Sequence, residues 1–313
     1  MAKMIHQYSR KLDNLDLIEH FLSAALNYEN SNDTRLLNKI KSGEAELKNY
    51  DDSSSTLKNT THRDRKYVSN NDRWNLRKQI VKELISLTRE DEDENIILGQ
   101  GGAVPNSEIK KERKAIILIG LPASGKSSIA DRLADEFGAL ILDSDYAKRK
   151  LPEFKDNPAG ASLVHEESDV LTFGYPDNDK PNDFKSIFEI CCDKSYNIII
   201  PKIGYNSKSI NDFAKVLKKL EYHVDLVLVS LDRKKSTIRA INRFNNTGRY
   251  VPLSLIFDGY GNDPILTFYR LKDDIYGDGV SIDTFGKIST DVNLGEKPKV
   301  LYSDQNSPVC LFQ

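Results

Sequence analysis

Apolar positions along the chain change their rhythm near residue 105. Before it they recur every three or four residues. In DNLDLIEHFLSAALNY, Leu15, Ile18, Leu22 and Leu26 form one stripe with Phe21 and Ala25 beside it, the spacing of an amphipathic helix. NDRWNLRKQIVKELISL repeats the pattern through Trp74, Ile80, Val81, Leu84 and Leu87, with Asn71 or Asp72 as the expected N-cap. The polar stretch between the two, residues 49–71, predicts a loop. The acidic REDEDEN and the following LGQGGAVPNSE predict a linker, because they combine charge, Gly and Pro.

After residue 112, short continuous apolar runs alternate with helical patterns. KAIILIG, ALILDSD, YNIIIPKIG and VDLVLVSLD read as strands buried on both faces. SSIADRLADEFG, ending on Gly138, NDFAKVLKKLEYH and KKSTIRAINRFNN read as the helices between them, and KPKVLYSD as a late edge strand. That rhythm predicts an α/β protein with a parallel sheet flanked by helices over residues 106–313, preceded by a smaller helical region over residues 1–105.

Composition narrows this further. With 39% hydrophobic and 29% charged residues in 313, there is material for a real core. A net charge of −2 argues against a nucleic-acid partner. Cys191, Cys192 and Cys310 have no metal-ligand spacing and read as reduced thiols. No apolar run reaches the length of a membrane span, and the first residues lack a signal-peptide core, so a cytoplasmic protein is expected.

The chemistry concentrates in GLPASGKSS, residues 120–128, placed between a strand and a helix. Gly120, Gly125, Lys126 and Ser127 satisfy G-x-x-x-x-G-K-[ST], which makes the fold a P-loop NTPase fold. Gly120, Leu121, Pro122, Ala123, Ser124, Gly125, Lys126, Ser127 and Ser128 would wrap the phosphates of ATP, since backbone N–H groups can approach only where side chains stay out of the way. Lys126 would reach the outer phosphates, and the Ser127 hydroxyl would ligate Mg²⁺. The chain has no N-K-x-D or T-K-x-D motif for a GTPase switch. Asp232, the best Walker-B candidate, is followed by Arg233 and reads as a strand-end or capping residue.

A kinase also needs a proton acceptor and cations over the transferring group. Asp143 and Asp145 lie at the carboxyl end of the second strand, which in an open parallel sheet faces the nucleotide crevice. Asp145 is the expected base, with Asp143 structural or in the outer shell of the metal. Arg239 and Arg243 stand one turn apart on a helix, and Arg249 follows in a Gly-containing segment that could close as a lid. For any one of them, a solvated helix face is the plain alternative.

Together GLPASGKSS, LDSDYAKRKLPEF, the YNIII strand and TGRYVP resemble the zeta-toxin kinase family over roughly residues 112–303. The resemblance implies a toxin-type kinase that phosphorylates the 3′-hydroxyl of UDP-N-acetylglucosamine. It also implies Asp145 as base, Arg249 as one phosphate-neutralising arginine, and Arg243 or Arg239 as the other. One departure bears on the acceptor. Where sugar-nucleotide kinases of the family carry an E-G-T-G-R-like run, this chain has Pro201, Lys202, Ile203, Gly204 and Tyr205. With NPAGASLVHEES, that run looks more like the subgroup of plant-pathogen effector kinases that phosphorylate the adenosine ribose of NAD. UDP-N-acetylglucosamine stands first and NAD second, with a non-enzymatic ATP-binding module as the alternative of another class. His165, Glu166, Glu167 and Lys202 are candidate acceptor contacts, and helix-start chemistry is the alternative for the first three. Family members are silenced by an antitoxin. Residues 1–105 could be such an inhibitor acting in cis, a docking platform, or an extension packed on the kinase, and a separate antitoxin is the other candidate partner.

Overall fold

The computed structural model describes residues 9–47, 52–156, 160–175, 184–275, 277, 279–293 and 295–313. Residues 157–159 of NPAGASLVHEES and 49–51 of the expected loop lie outside them. Six strands form one sheet: β1 Lys114–Ile119, β2 Ala139–Ile141, β3 Asn197–Lys202, β4 His223–Ser230, β5 Thr284–Ser289 and β6 Lys299–Ser303. Their order is β2-β3-β1-β4-β5-β6. β2 pairs with β3 and β4 with β5 in parallel, while β6 closes the edge antiparallel to β5. Ala115 to Ile119, Ile198 to Ile200 and Val224 to Val229 are almost completely buried. Continuous apolar strands of this kind are what a sheet covered on both faces requires. Among the described residues no helix is long and apolar enough to cross a membrane, and all three cysteines are free.

The chain forms two compact units, residues 1–45, 115–128 and 201–313 in the first, and 46–114 and 129–200 in the second. Each takes residues from both sides of position 105. In the first unit, helix α1, Leu15–His20, starts where the Asn14 side chain accepts from Leu17 N at 2.9 Å, and it runs on as a π turn, Phe21–Ala25. Its Ile18, Phe21 and Leu22 are buried, with Leu12 and Leu26, at about 1.5–3 kcal/mol for each large side chain. Helix α2, Thr34–Leu47, is absent from the expected elements; it buries Leu36, Leu37, Ile40 and Gly43.

The second unit corrects two expectations. Helix α3, Asn70–Ser86, is capped by Ser69, which accepts from Asp72 N at 3.1 Å; Asn71 and Asp72 are already inside its first turn. The polar stretch before it is a loop, as expected, with two 3-10 turns, and it reaches into the core at four described positions. Ser54, Ser55, Thr56 and Arg63 are buried, and Thr56 N donates to Leu163 O at 3.0 Å. The acidic and Gly-rich stretch after α3 is a wall of the unit rather than a linker. Ala103 N donates to Leu84 O at 2.9 Å, and Ile141 N to Ala103 O at 3.1 Å. A Cβ on Gly102 would stand 2.1 Å from Leu87 O, so only glycine fits there.

The longer α-helices among the rest of the described residues are α4, Lys126–Phe137; α5, Ser144–Lys150; α6, His165–Phe173; α7, Ile187–Asp193; α8, Ser207–Lys219; α9, Arg233–Thr247; and α10, Asp263–Lys272.

Candidate active site

The phosphate loop belongs to the first unit. β1 delivers the chain to Gly120, whose N–H donates to Ile203 O at 3.1 Å. A Cβ at Gly120 would lie 2.6 Å from Val229 O, which restricts the position to glycine. Ala123 and Gly125 have φ of 61° and 88°, the left-handed turns that gather successive N–H groups into an anion-binding concavity. Lys126 Nζ donates to Gly120 O and Leu121 O, both at 2.7 Å, so its ammonium is folded back onto the loop that precedes it. The Ser124 hydroxyl oxygen is buried and has no hydrogen-bond partner among the described residues. Ser127 is exposed at the first turn of α4. These residues fit a polyphosphate: N–H groups and a helix N-terminus to receive the charge, a cation at the loop, and a buried hydroxyl without a partner among the described residues. Among the described residues no group of three His, Cys, Asp or Glu side chains could hold a metal. A Mg²⁺ would then rest on Ser127, phosphate oxygens and water, as that ion often does.

Two braces hold the loop, and the sequence signalled neither. Thr290 Oγ1 donates to Ser124 O and Ser236 Oγ to Pro122 O, both at 2.6 Å. Each partner lies more than a hundred residues from the loop, so no local spacing could reveal it. Arg239 joins the first brace, donating from Nη2 to Thr290 O at 2.8 Å. Asp232 caps α9 by accepting from Lys234 N and Lys235 N, which gives it the capping role expected. The other end of α9 closes on Gly248, φ 74°, whose N–H returns to Phe244 O at 2.9 Å. This is the left-handed glycine stop. Arg243 and Arg249 are half-buried on either side of that stop, and Arg249 N donates to Thr247 Oγ1 at 3.3 Å. Lys202 at the end of β3 is half-buried, with Nζ 5.9 Å from the Phe213 ring centroid. Beyond it, Gly204 has φ 78° and a Cβ there would meet Ile119 at 2.6 Å, and Tyr205 packs on Tyr260 with ring centroids 5.9 Å apart.

The second unit holds the carboxylates. Asp143 caps α5, accepting from Asp145 N at 2.9 Å. Withdrawal from water, reinforced by the Asp145 charge, pushes its carboxyl up to about 6. Asp145 is half-buried and accepts from Lys148 Nζ at 3.0 Å. The helix carrying it is anchored at its far end by Lys150, fully buried, which donates to Glu83 Oε2 at 2.7 Å, Ile97 O at 2.8 Å and Gln100 O at 3.0 Å.

The three acceptor candidates on α6 separate. His165 is exposed, 3.7 Å from Asp169. Glu166 keeps one buried oxygen, Oε2, without a hydrogen-bond partner among the described residues. Glu167 is a correction: it is fully buried and occupied by its own chain. Oε1 accepts from Arg73 Nε at 2.8 Å and Arg77 Nε at 2.7 Å, and Oε2 accepts from Arg73 Nη2 at 2.6 Å and Thr56 Oγ1 at 2.5 Å. Burial alone would raise its pKa, but Arg73 above all holds it down at about 2. No lone pair remains for a substrate.

Comparison with known proteins gives the following. The profile described as "Zeta toxin" matches residues 104–262, a little over half of the chain. UDP-N-acetylmuramoylalanine–D-glutamate ligase of Streptococcus pneumoniae strain Hungary19A-6 is 38% identical over 65 residues, 21% of this chain and 13% of the ligase. The match thus spans about an eighth of the ligase's length. Among solved structures, the chromosomal PezAT toxin–antitoxin system of Streptococcus pneumoniae aligns at TM-score 0.48 and 15% identity, covering 85% of this chain and 88% of that one. The AvrRxo1-ORF1:-ORF2 complex with ATP aligns at TM-score 0.44 and 18% identity, covering 74% and 65%.

Proposed function

The chain belongs to the zeta-toxin family, and from that premise we propose a toxin-type kinase that moves the γ-phosphoryl group of ATP to a sugar hydroxyl of a nucleotide-linked acceptor. The observation that carries this reading is the phosphate loop: a glycine-restricted turn, braced from two sides, with Lys126 folded back onto it and the Ser124 hydroxyl unpartnered among the described residues. Asp145 takes the proton of the acceptor hydroxyl as its oxygen bonds to the γ-phosphorus. The bond from that phosphorus to the bridging oxygen breaks, and ADP leaves. Lys126, Arg243 and Arg249 neutralise the charge that develops on the equatorial oxygens. Bound through Ser127, Mg²⁺ would supply further neutralisation of the phosphates. Arg239 is assigned to holding the loop, because it already donates to Thr290 O.

UDP-N-acetylglucosamine is the first acceptor to test, on family grounds. NAD is the second acceptor to test, because Pro201 to Tyr205 depart from the sugar-nucleotide run. Tyr205, tilted at 34° to Tyr260 with centroids 5.9 Å apart, offers an aromatic pair that suits the base of either acceptor. Glu166, whose buried Oε2 has no hydrogen-bond partner among the described residues, His165 and Lys202 are proposed to face the acceptor. An antitoxin as partner is likewise a proposal. We place it in a separate protein, because Leu12, Ile18, Phe21, Leu22, Leu36, Leu37 and Ile40 are core residues of the first unit.

Incubation with ATP, Mg²⁺ and a panel of UDP-sugars and NAD, followed by mass spectrometry, tests the reading. A single acceptor carrying one added phosphate is expected. ATP binding without any phosphorylated acceptor would favour a non-enzymatic ATP-binding module.

A further inference from the structure

Three residues of α2 converge on the turn that bears Arg249. Lys39 Nζ donates to Phe244 O at 3.1 Å and Asn245 O at 3.3 Å, and stands 4.6 Å from the Phe244 ring centroid. Those carbonyls belong to the last turn of α9, where unpaired C=O groups and the negative dipole end attract a cation. Four residues on, Gly43 lies against the Tyr250 ring; a Cβ there would stand 2.8 Å from two of its carbons. Glu44 accepts from the Tyr250 hydroxyl. Tyr250 in turn packs edge-on against Phe244, centroids 4.9 Å apart.

The other side of the turn is open. Thr247 and Gly248 are exposed, and a Cβ on Gly248 would meet nothing within 4 Å. The backbone of the turn is therefore held from the α2 side. Arg243 and Arg249 flank it, so whatever fixes the Phe244–Tyr250 segment also fixes where the two guanidinium groups can reach.

We propose that α2 is a built-in clasp of the kinase, with Lys39, Gly43 and Glu44 as positioning residues that set Arg243 and Arg249 for phosphoryl transfer. This rests on the kinase reading above. It also gives part of the N-terminal region a supporting role in catalysis in place of an inhibitory one.

Gly43→Ala separates the clasp from ordinary packing. Alanine favours a helix over glycine, and Gly43 has no positive φ to lose. A merely structural α2 would lose melting temperature to the clash with Tyr250, offset in part by the helix preference of alanine, while its folded molecules keep full turnover. The clasp predicts that the added methyl displaces Tyr250, so that kcat falls roughly tenfold or more while KM for ATP stays within about twofold, as a small misplacement of a catalytic group does. Glu44→Ala should behave likewise, with Glu44→Gln recovering most of the loss because it still accepts from the Tyr250 hydroxyl. Lys41→Ala, on the exposed face of α2, is the control.

Hydrogen exchange of the 247–250 amides provides a readout free of activity. Faster exchange in Gly43→Ala than in the Lys41→Ala control, together with the loss of kcat, is the expected result. Unchanged exchange overturns the clasp, and so does faster exchange with wild-type kcat. A wild-type protein that transfers no phosphate to any acceptor would overturn the kinase reading and, with it, the catalytic role of the clasp. The exchange comparison would then still decide whether α2 holds the turn.

Discussion

Two sets of carboxylates in the second unit have opposite surroundings. Glu153 and Glu167 are buried against Arg73, with N–O distances of 2.7 and 2.6 Å, and Arg77 closes on Glu167 at 2.7 Å. Thr56 uses a further lone pair of Glu167. Asp143 and Asp145 sit at the start of a short helix, next to each other, with one lysine at 3.0 Å from Asp145. In the first set every charge is matched inside the protein, and breaking one member leaves another uncompensated. In the second set the Asp145 charge adds to burial in pushing the Asp143 carboxyl up, which costs stability at neutral pH. Carboxylates locked by buried arginines build the fold, whereas two neighbouring carboxylates at a half-buried helix start are what chemistry can use.

The largest expected effect tests the second half of that contrast. Asp145→Asn should lower kcat by about 10²–10⁴-fold, the range for losing a general base. ATP affinity, measured by titration calorimetry, should hold because the phosphate loop lies elsewhere in the sequence. Wild-type turnover in this variant would remove Asp145 from the mechanism. Glu167→Gln tests the first half: it should cost about 3–5 kcal/mol of stability by leaving Arg73 and Arg77 short of a partner, read as a fall in the denaturant midpoint. Folded molecules of that variant should keep their kcat. A loss of activity without a loss of stability would return Glu167 to the acceptor site.

A smaller effect separates the arginines. Arg239→Ala should raise KM for ATP by loosening Thr290 and the Ser124 carbonyl it holds. Arg243→Ala should lower kcat with KM nearly constant, because its interaction is made in the transition state. The same pattern from both variants would erase the distinction between loop brace and phosphate cation.

The same contrast explains what could be read from the sequence. The phosphate loop was legible because its requirements are contiguous: two glycines, a lysine and a serine between a strand and a helix. The strands β1 to β4 were legible because continuous burial needs continuous apolar residues. Residues 49–71 read as a polar loop, but the sequence does not reveal that Ser54, Ser55, Thr56 and Arg63 within it are buried. Arg63 is buried, yet its guanidinium donates to Thr56 O and Leu57 O at 2.8 and 3.1 Å, and no local pattern announces such partners. Helix α2 escaped notice because Gly43 and the adjacent Leu36 and Leu37 blur its stripe, and Gly43 owes its presence to a tyrosine two hundred residues away.

The smallest effect carries a definite sign. The Asp143 carboxyl is raised from 3.8 to about 6 in the folded protein. A raised carboxyl favours the protonated native state, so the cost is absent below the unfolded pKa and fully present above the folded one. Stability attributable to Asp143 should therefore fall as pH rises from about 4 to 6. Glu167, lowered from 4.5 to about 2, does the reverse: its contribution is complete above about pH 4.5 and disappears as the pH drops toward 2. Asp143→Asn should remove the first dependence while keeping the helix cap, since Asn caps as well as Asp. At pH 7.5 the variant should be about 1–2 kcal/mol more stable than wild type, a figure reduced from the full shift because the group is partly exposed. At pH 4 the two should melt together. Thermal melts at those two pH values decide the matter. A variant less stable than wild type at pH 7.5 would mean that the ionised Asp143 is held by the helix start more firmly than its neighbour repels it, and repulsion between the two carboxylates would no longer distinguish this region from the arginine-locked one.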